Sequence, residues 1–323
     1  MNFKIAGTGS ATPQLAVSNA DLARFVETDD EWVTSRTGIS TRHVLSTETL
    51  TELAVSAARR ALAAAGLAAG ELDLIIGATT KHDYQVPSLA CVVQGELGVA
   101  GAPAFDVNFG CTGFIGALDV ASQYFATGRA SAALIICAEA LTRYVDWTDR
   151  ATCVLFGDGA AAVVLTPGDS LRAVCLHAQG NPAPLHALAP SGNSPYDQHP
   201  AQHPCIEMNG REVFKFAVTN MCNDLADVLA QAKLRPADID YFLVHQANKR
   251  IIEAARERLA QPAEKFPTNI ERYGNTSAVS VPLLLDELVR AGTITPGSLL
   301  ACAAFGAGLI SGAMVLKWEG QTL

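Results

Sequence analysis

The chain has 323 residues, 49% of them apolar and 17% charged, with a formal net charge of −9. That length accommodates a large buried core or two ordinary domains, and the apolar fraction excludes a disordered chain. The acidic balance argues against a nucleic-acid surface, which needs a basic face to meet phosphate.

In chain order, the opening MNFKIAGTGSATP holds a lone GxG without the rest of a dinucleotide fingerprint, so it reads as a turn. It has no long apolar segment, and no run in the chain approaches about 18 apolar residues. The expectation is a cytoplasmic protein with no membrane partner. The eight cysteines (91, 111, 137, 153, 175, 205, 222 and 302) show no CxxC pairing. Several lie in apolar runs, such as Cys137 in ALIICAEA, and read as reduced core residues.

The middle and end of the chain repeat one another. AGLAAGELDLII (65–76) lines up with AKLRPADIDYFL (232–243), each a helix end, a turn, an acidic position and a buried strand. CTGFIGALDVASQYFATG (111–128) lines up with NTSAVSVPLLLDELVRAG (275–292), each with 17 steps to a closing Gly. The strands AALIICA (132–138) and GSLLACA (297–303) follow, then FGDGAAAVVL (156–165) and FGAGLISGAMVL (305–316). The order implies a duplicated α/β unit, with halves 1–167 and 168–323 joined near LTPGDS (165–170).

In the first half, AFDVNFG leads into Cys111 and then into a helix with Phe114, Leu118, Ala121 and Phe125 on one stripe. The repeat pairs Cys111 with Asn275. A cysteine at a helix start is expected to have a lowered pKa and to be the better nucleophile, and its own N–H can hold an oxyanion. HPAQHPC brings His199, His203 and Cys205 close in sequence, but its prolines and missing second ligand pair read as an ordinary loop. DYFLV runs straight into His245, which therefore stands at the carboxyl end of a buried strand, where α/β proteins open their ligand crevice.

FGCTGF, HQANKRI, GNTSAVSVP and FGAGLISGAMVLKW together resemble the β-ketoacyl-acyl-carrier-protein synthase III family of condensing enzymes. DEWVTSRTGISTRH (30–43) and TDRATCVLFGDGA (148–160) extend the likeness along the whole chain. The resemblance implies an α/β thiolase-like fold, a duplicated αβαβα five-layer arrangement, and a homodimer. It implies a Cys–His–Asn site of Cys111, His245 and Asn275. Cys111 would take the acyl group from an acyl-CoA primer, with the oxyanion held by the backbone N–H groups of Cys111 and Ala307. Malonyl-acyl-carrier protein would lose CO₂, with His245 and Asn275 donating to the enolate oxygen, and the carbanion would attack the acyl-Cys111 thioester. No metal or redox cofactor is implied; the coenzyme A thioester is a substrate. Two departures stand out: Gly110 precedes the cysteine where relatives often have Ala, and Ala307 replaces the middle Gly of FGGG.

The resemblance further implies that Trp32 and Arg150 sandwich the CoA adenine and that Arg36 holds its phosphates. Lys215, Lys249, Arg250 and Arg256 would form a basic patch for the acidic carrier protein. Val86 falls where many relatives carry a Phe that reaches the acyl pocket across the dimer, so the smaller side chain would admit longer or branched primers. The alternatives are a related condensing enzyme of secondary metabolism, a Cys–His–Asn hydrolase and a non-catalytic carrier-binding subunit. The duplicated scaffold and the FGAG loop speak against the hydrolase, and the presence of Cys111 against the subunit.

Overall fold

Two sheets carry the fold of the computed structural model, which describes residues 2–189, 195–196 and 205–320. The first holds β1 (Asn2–Ala11), β2 (Leu74–Ala78), β3 (Ala104–Val107), β4 (Ala133–Ala140) and β5 (Asp158–Gly168), in the order β1-β5-β4-β2-β3. The second holds β6 (Leu171–Ala178), β7 (Tyr241–Val244), β8 (Leu299–Gly306) and β9 (Ile310–Lys317), in the order β6-β9-β8-β7. In each sheet the first two neighbouring pairs are antiparallel and the third is parallel. Four strands of one sheet thus match four of the other in order and sense. Strand β3, parallel to β2, is the addition to the first sheet.

Among the described residues seven helices of eight or more residues accompany these sheets: α1 (Asp30–Thr37), α2 (Leu50–Ala65), α3 (Leu89–Leu97), α4 (Gly113–Ala126), α5 (Gly210–Gln231), α6 (Lys249–Arg258) and α7 (Ser280–Arg290). Their ends are written locally. Thr49 and Glu52 close a reciprocal capping box at the start of α2, and Gly66, with φ of 66°, ends it.

The layers follow from which faces are apolar. From α4, Phe114, Leu118, Ala121 and Phe125 join Val281, Leu284 and Leu285 of α7 in one cluster with Ile76 and Ile135 of the first sheet and Leu243 and Met314 of the second. The neighbouring residues Ile75 and Leu134 face outward onto α2 and α3. Phe242 and Val315 likewise meet α5 and α6. A strand buried on both faces needs no polar alternation, which is why β4 reads as the nearly unbroken run ALIICAEA. The result is the five-layer αβαβα arrangement.

The central helices α4 and α7 begin alike. A residue with positive φ (Gly110 at 52°, Ser277 at 53°) opens a short 3₁₀ turn (Gly110–Thr112, Ser277–Val279), and the α-helix follows. This geometry corrects the sequence pairing: Cys111 corresponds to Ala278, and Asn275 lies three residues earlier. The repeat keeps its register at the closing glycines, Gly128 and Gly292, but α7 has 11 residues against 14 in α4. A Cβ on Gly113 would stand 2.9 Å from the Ala278 Cβ, so the two turns touch. No disulfide joins any of the eight cysteines, and no described helix is long and apolar enough to cross a membrane.

Candidate active site

The touching turns bring the sequence candidates together. Cys111 sits in the turn before α4, and the end of β8 lies directly against it: a Cβ on Gly306 would come within 2.8 Å of the Cys111 backbone nitrogen. The next residue, Ala307, has its backbone beside Gly110. Positive φ among non-glycine residues falls on Lys233, Ala260 and Ser277 and not on Ala307, so the alanine in FGAG occupies a conformation open to any L-residue.

His245 follows β7 and is buried, and its backbone N–H continues the ladder by donating to the Ala303 carbonyl at 2.8 Å. Its ring packs edge-on against Phe305 at 5.3 Å, and its Nδ1 lies 2.7 Å from Ser280 Oγ. Ser280 Oγ also accepts the Gln246 N–H at 3.3 Å and retains its own proton as a donor. With that proton given to Nδ1, the imidazole carries its own on Nε2. Burial pushes the His245 pKa down to about 3, so the ring is neutral near pH 7.

Asn275 is fixed through its backbone, donating to the Leu155 carbonyl at 2.8 Å and accepting the Gly157 N–H at 3.0 Å. Its Oδ1 accepts the Ser277 N–H at 2.9 Å. With the oxygen committed, the amide NH₂ is the end left to donate. The arrangement therefore supplies two oriented, neutral donors and a thiol.

The thiol differs from its expectation. Burial pushes the Cys111 pKa up to about 12, Ser277 opposes that rise, and the charge of nearby Glu139 adds to it. Cys111 is partly buried, and desolvation outweighs the helix-start effect. Ser277 Oγ lies 3.4 Å from Cys111 Sγ and 3.1 Å from Glu139 Oε1. Sequence reasoning passed over Glu139, Ser277 and Ser280. Glu139 carried a readable signal, being the one acidic residue of the fully buried strand β4, whereas the two serines gain meaning only from partners far away in the chain.

Trp32 lies on α1, whose first turn Asp29 caps by accepting the Trp32 N–H at 2.7 Å. The guanidinium groups of Arg150 and Arg36 stand 4.4 and 4.6 Å from the Trp32 ring centroid. Arg150 also donates to the Glu27 carbonyl at 2.9 Å. Arg150 thus already sits on the tryptophan, and a second planar group would enter the stack by moving it. Buried Arg42 braces this corner, donating to Val17 O, Asn19 Oδ1 and Val154 O.

Helix α6 adjoins α1: Asn248 caps it by accepting the Arg250 N–H and donates to the Arg36 carbonyl at 3.1 Å. Lys249 and Arg250 are exposed there, as is Lys215 on α5, and Arg250 stands over the Phe214 ring at 5.9 Å. Arg256 does not join them as a free charge. Its Nε donates to Glu253 at 2.7 Å, Glu257 is 3.7 Å away, and Nη1 reaches the Gln261 carbonyl.

Val86 is 81% exposed and Tyr84 50% exposed, on the segment between β2 and α3. His199 and His203 lie outside the described residues. Among the described residues one group of metal-capable atoms occurs away from this site, at Cys175, His177 and Asp224. There His177 Nδ1 is hydrogen-bonded to Asp224 Oδ1 at 2.8 Å and Cys175 Sγ faces the Asp224 carbonyl.

Comparison with known proteins places this geometry. Residues 105–180 match the family model 3-Oxoacyl-[acyl-carrier-protein (ACP)] synthase III, and residues 229–318 match the model of its C-terminal region. A beta-ketoacyl-[acyl-carrier-protein] synthase III from Clostridium acetobutylicum is 44% identical, covering 98% of this chain and 99% of its own. The crystal structure of 3-oxoacyl-[acyl-carrier-protein] synthase III from Aquifex aeolicus superposes with a TM-score of 0.92 at 43% identity, covering 98% and 100%. The priming beta-ketosynthase of the R1128 polyketide biosynthetic pathway superposes with a TM-score of 0.93 at 34% identity, covering 98% and 96%.

Proposed function

The chain belongs to the β-ketoacyl-[acyl-carrier-protein] synthase III family, condensing enzymes that initiate fatty-acid synthesis, and from that premise we propose how its residues divide the reaction. Cys111 attacks the thioester carbonyl of an acyl-CoA primer and keeps the acyl group. The backbone N–H groups of Cys111 and Ala307 take the oxyanion. Coenzyme A leaves past Trp32, where its adenine displaces Arg150 from the ring, with Arg36 serving the phosphates.

Malonyl-acyl-carrier protein then docks on the exposed basic side chains of Lys215, Lys249 and Arg250. His245 Nε2–H and Asn275 Nδ2–H donate to its thioester carbonyl, and departure of CO₂ leaves an enolate on that oxygen. The carbanion attacks the acyl carbon, the bond to Cys111 breaks, and a 3-oxoacyl-carrier protein leaves. The observation that carries this reading is that Ser280 occupies His245 Nδ1 and Ser277 occupies Asn275 Oδ1, which leaves Nε2 and Nδ2 as the ends that can donate, while burial keeps His245 neutral. Two neutral donors suit a charge that forms on oxygen only as CO₂ departs. No metal or redox cofactor enters any step.

Incubation of the protein with acetyl-CoA and malonyl-carrier protein tests this: 3-oxobutyryl-carrier protein and CO₂ are expected in equal amounts. Release of free acetate without a new carbon–carbon bond would instead identify a hydrolase. The likeness to a polyketide priming synthase and the small, exposed Val86 favour a second reading, in which the primer is longer or branched and Val86 lines the acyl pocket of a partner subunit in a homodimer. Competition among acetyl-, butyryl-, isobutyryl- and octanoyl-CoA decides between them, and a strong preference for acetyl-CoA would remove the second.

A further inference from the structure

Glu139 is the ionisable group beside Cys111 that this reaction leaves unused. It ends the apolar run of β4 and is 0% exposed. All its contacts come from donors: Thr80 N–H lies 3.2 Å from each oxygen, Thr80 Oγ1 2.6 Å from Oε2, and Ser277 Oγ 3.1 Å from Oε1. Among the described residues no cation forms an ion pair with it, and the field of Asp158 adds to the cost of its charge. A buried carboxylate without a counter-ion costs stability.

Ser277 is held at a similar cost. Its φ of 53° is the conformation that the matching turn assigns to Gly110, and a non-glycine residue there loses about 1 kcal/mol or more. What the serine supplies that a glycine would not is the hydroxyl between Cys111 and Glu139. One hydroxyl proton cannot serve both neighbours. Donated to Glu139, it leaves the oxygen to accept the Cys111 thiol proton.

We propose that Ser277 and Glu139 form a proton relay for Cys111: as Sγ attacks the thioester, its proton passes to Ser277 Oγ and the Ser277 proton passes to Glu139. The inference rests on the reading of Cys111 as nucleophile. The bond from Sγ to the acyl carbon forms, the bond from that carbon to the CoA sulfur breaks, and CoA leaves as a thiolate that takes a proton from water. In the condensation the Cys111 thiolate is released and regains its proton by the same path, returning Glu139 to its carboxylate. Ser277, touching the reacting sulfur, is the catalytic residue; Glu139, acting through it, positions the proton.

The charges agree with this division. Burial pushes Glu139 up to about 7 and Cys111 up to about 12, and the charge of Glu139 opposes a thiolate on Cys111, so above neutral pH the pair keeps one proton, which rests on the sulfur until attack on the thioester draws it toward Glu139. With that single proton on Glu139, the sulfur is a thiolate without a neighbouring negative charge.

Alkylation of Cys111 by iodoacetamide, located by peptide mass and followed from about pH 5 to about pH 9, reads the shared proton without any acyl-CoA. In the wild type the rate rises through a step near pH 7, where the pair loses its first proton. Glu139→Gln and Ser277→Gly lose that step and react about 10²-fold more slowly at neutral pH, the lower end of what a positioned proton acceptor contributes. Glu139→Asp recovers part of the rate. Ser277→Gly relieves the positive φ, so it reports on the relay even if the Gln variant fails to fold. A Gln variant alkylated as fast as wild type, or faster, with the step intact would overturn the relay. Acylation by primers is scored separately: a normal alkylation profile with no acyl-enzyme would sink the functional reading and leave the relay standing.

Discussion

The turn before α4 and the turn before α7 are the same piece of backbone put to different uses. Both begin with a positive φ, at 52° and 53°, both pass through one 3₁₀ turn, and they meet at Gly113 and Ala278. The first spends glycine on the strained position and puts a thiol on the next residue. The second keeps a serine at the strained position, follows it with a small Ala278, and carries its chemistry on the flanks, at Asn275 and through Ser280 on His245. Duplication supplied the two helix starts. In the reaction proposed here, side-chain divergence makes one half the acyl carrier and the other the decarboxylation site.

Substitutions can break that division of labour, and their effects should fall in order. Cys111→Ala removes the nucleophile, and its intact mass should show no acyl gain with any primer. His245→Ala and Asn275→Ala each delete one donor to the enolate, which typically costs about 10²–10³ in rate. Both should still gain one acyl group from the primer, so single-turnover decarboxylation of malonyl-carrier protein is the measurement that separates them from the Cys111 variant. Ser280→Ala leaves His245 without its Nδ1 partner. A lost neutral hydrogen bond of about 1 kcal/mol predicts a decarboxylation rate roughly fivefold lower, with primer loading unchanged. Trp32→Ala should raise the KM for acyl-CoA about tenfold, as loss of an aromatic stacking platform does for a base. The smallest effect belongs to Lys215→Glu with Arg250→Glu, a rise of a few-fold in the KM for carrier protein that shrinks with added salt.

The buried pair of titratable groups sharpens the comparison through pH. His245 is held at about 3 when folded, so between its unfolded value of about 6.5 and that folded value the unfolded chain binds more protons. Its contribution is full above about 6.5 and is lost as pH falls toward 3. Glu139 runs the other way. Held up at about 7, it penalises the folded state once the unfolded carboxyl, at about 4.5, has ionised. Replacing Glu139 by Gln should therefore raise Tm relative to wild type more at pH 8 than at pH 4.5, and a Tm difference that does not grow with pH would count against the buried carboxylate.

Much of this was legible in the chain because it is local or repeated. The matched segments anticipated three of the four equivalent strand pairs, all but β1 with β6, and the stripe of Phe114, Leu118 and Phe125 anticipated a helix that packs inward. The pairing of Cys111 with Asn275 was off because a helix shortened by three residues keeps the alignment at its closing glycine and shifts it at its start. The lowered thiol pKa was inferred from a helix start alone, whereas desolvation is set by neighbours from distant segments, among them Glu139 and Ser277. Arg256 looked like one of four free charges in sequence, but Glu253, three residues before it, had already claimed it.

The division between the halves is tested most directly by the double variant His245→Ala, Asn275→Ala, given acyl-CoA and then malonyl-carrier protein while its intact mass is followed. The account predicts that it loads one acyl group on Cys111 as wild type does and then keeps it, because no enolate forms to discharge it. Failure to load would place His245 or Asn275 in the acyl-transfer step, and normal discharge would show that decarboxylation does not depend on them; either result would contradict the separation proposed here.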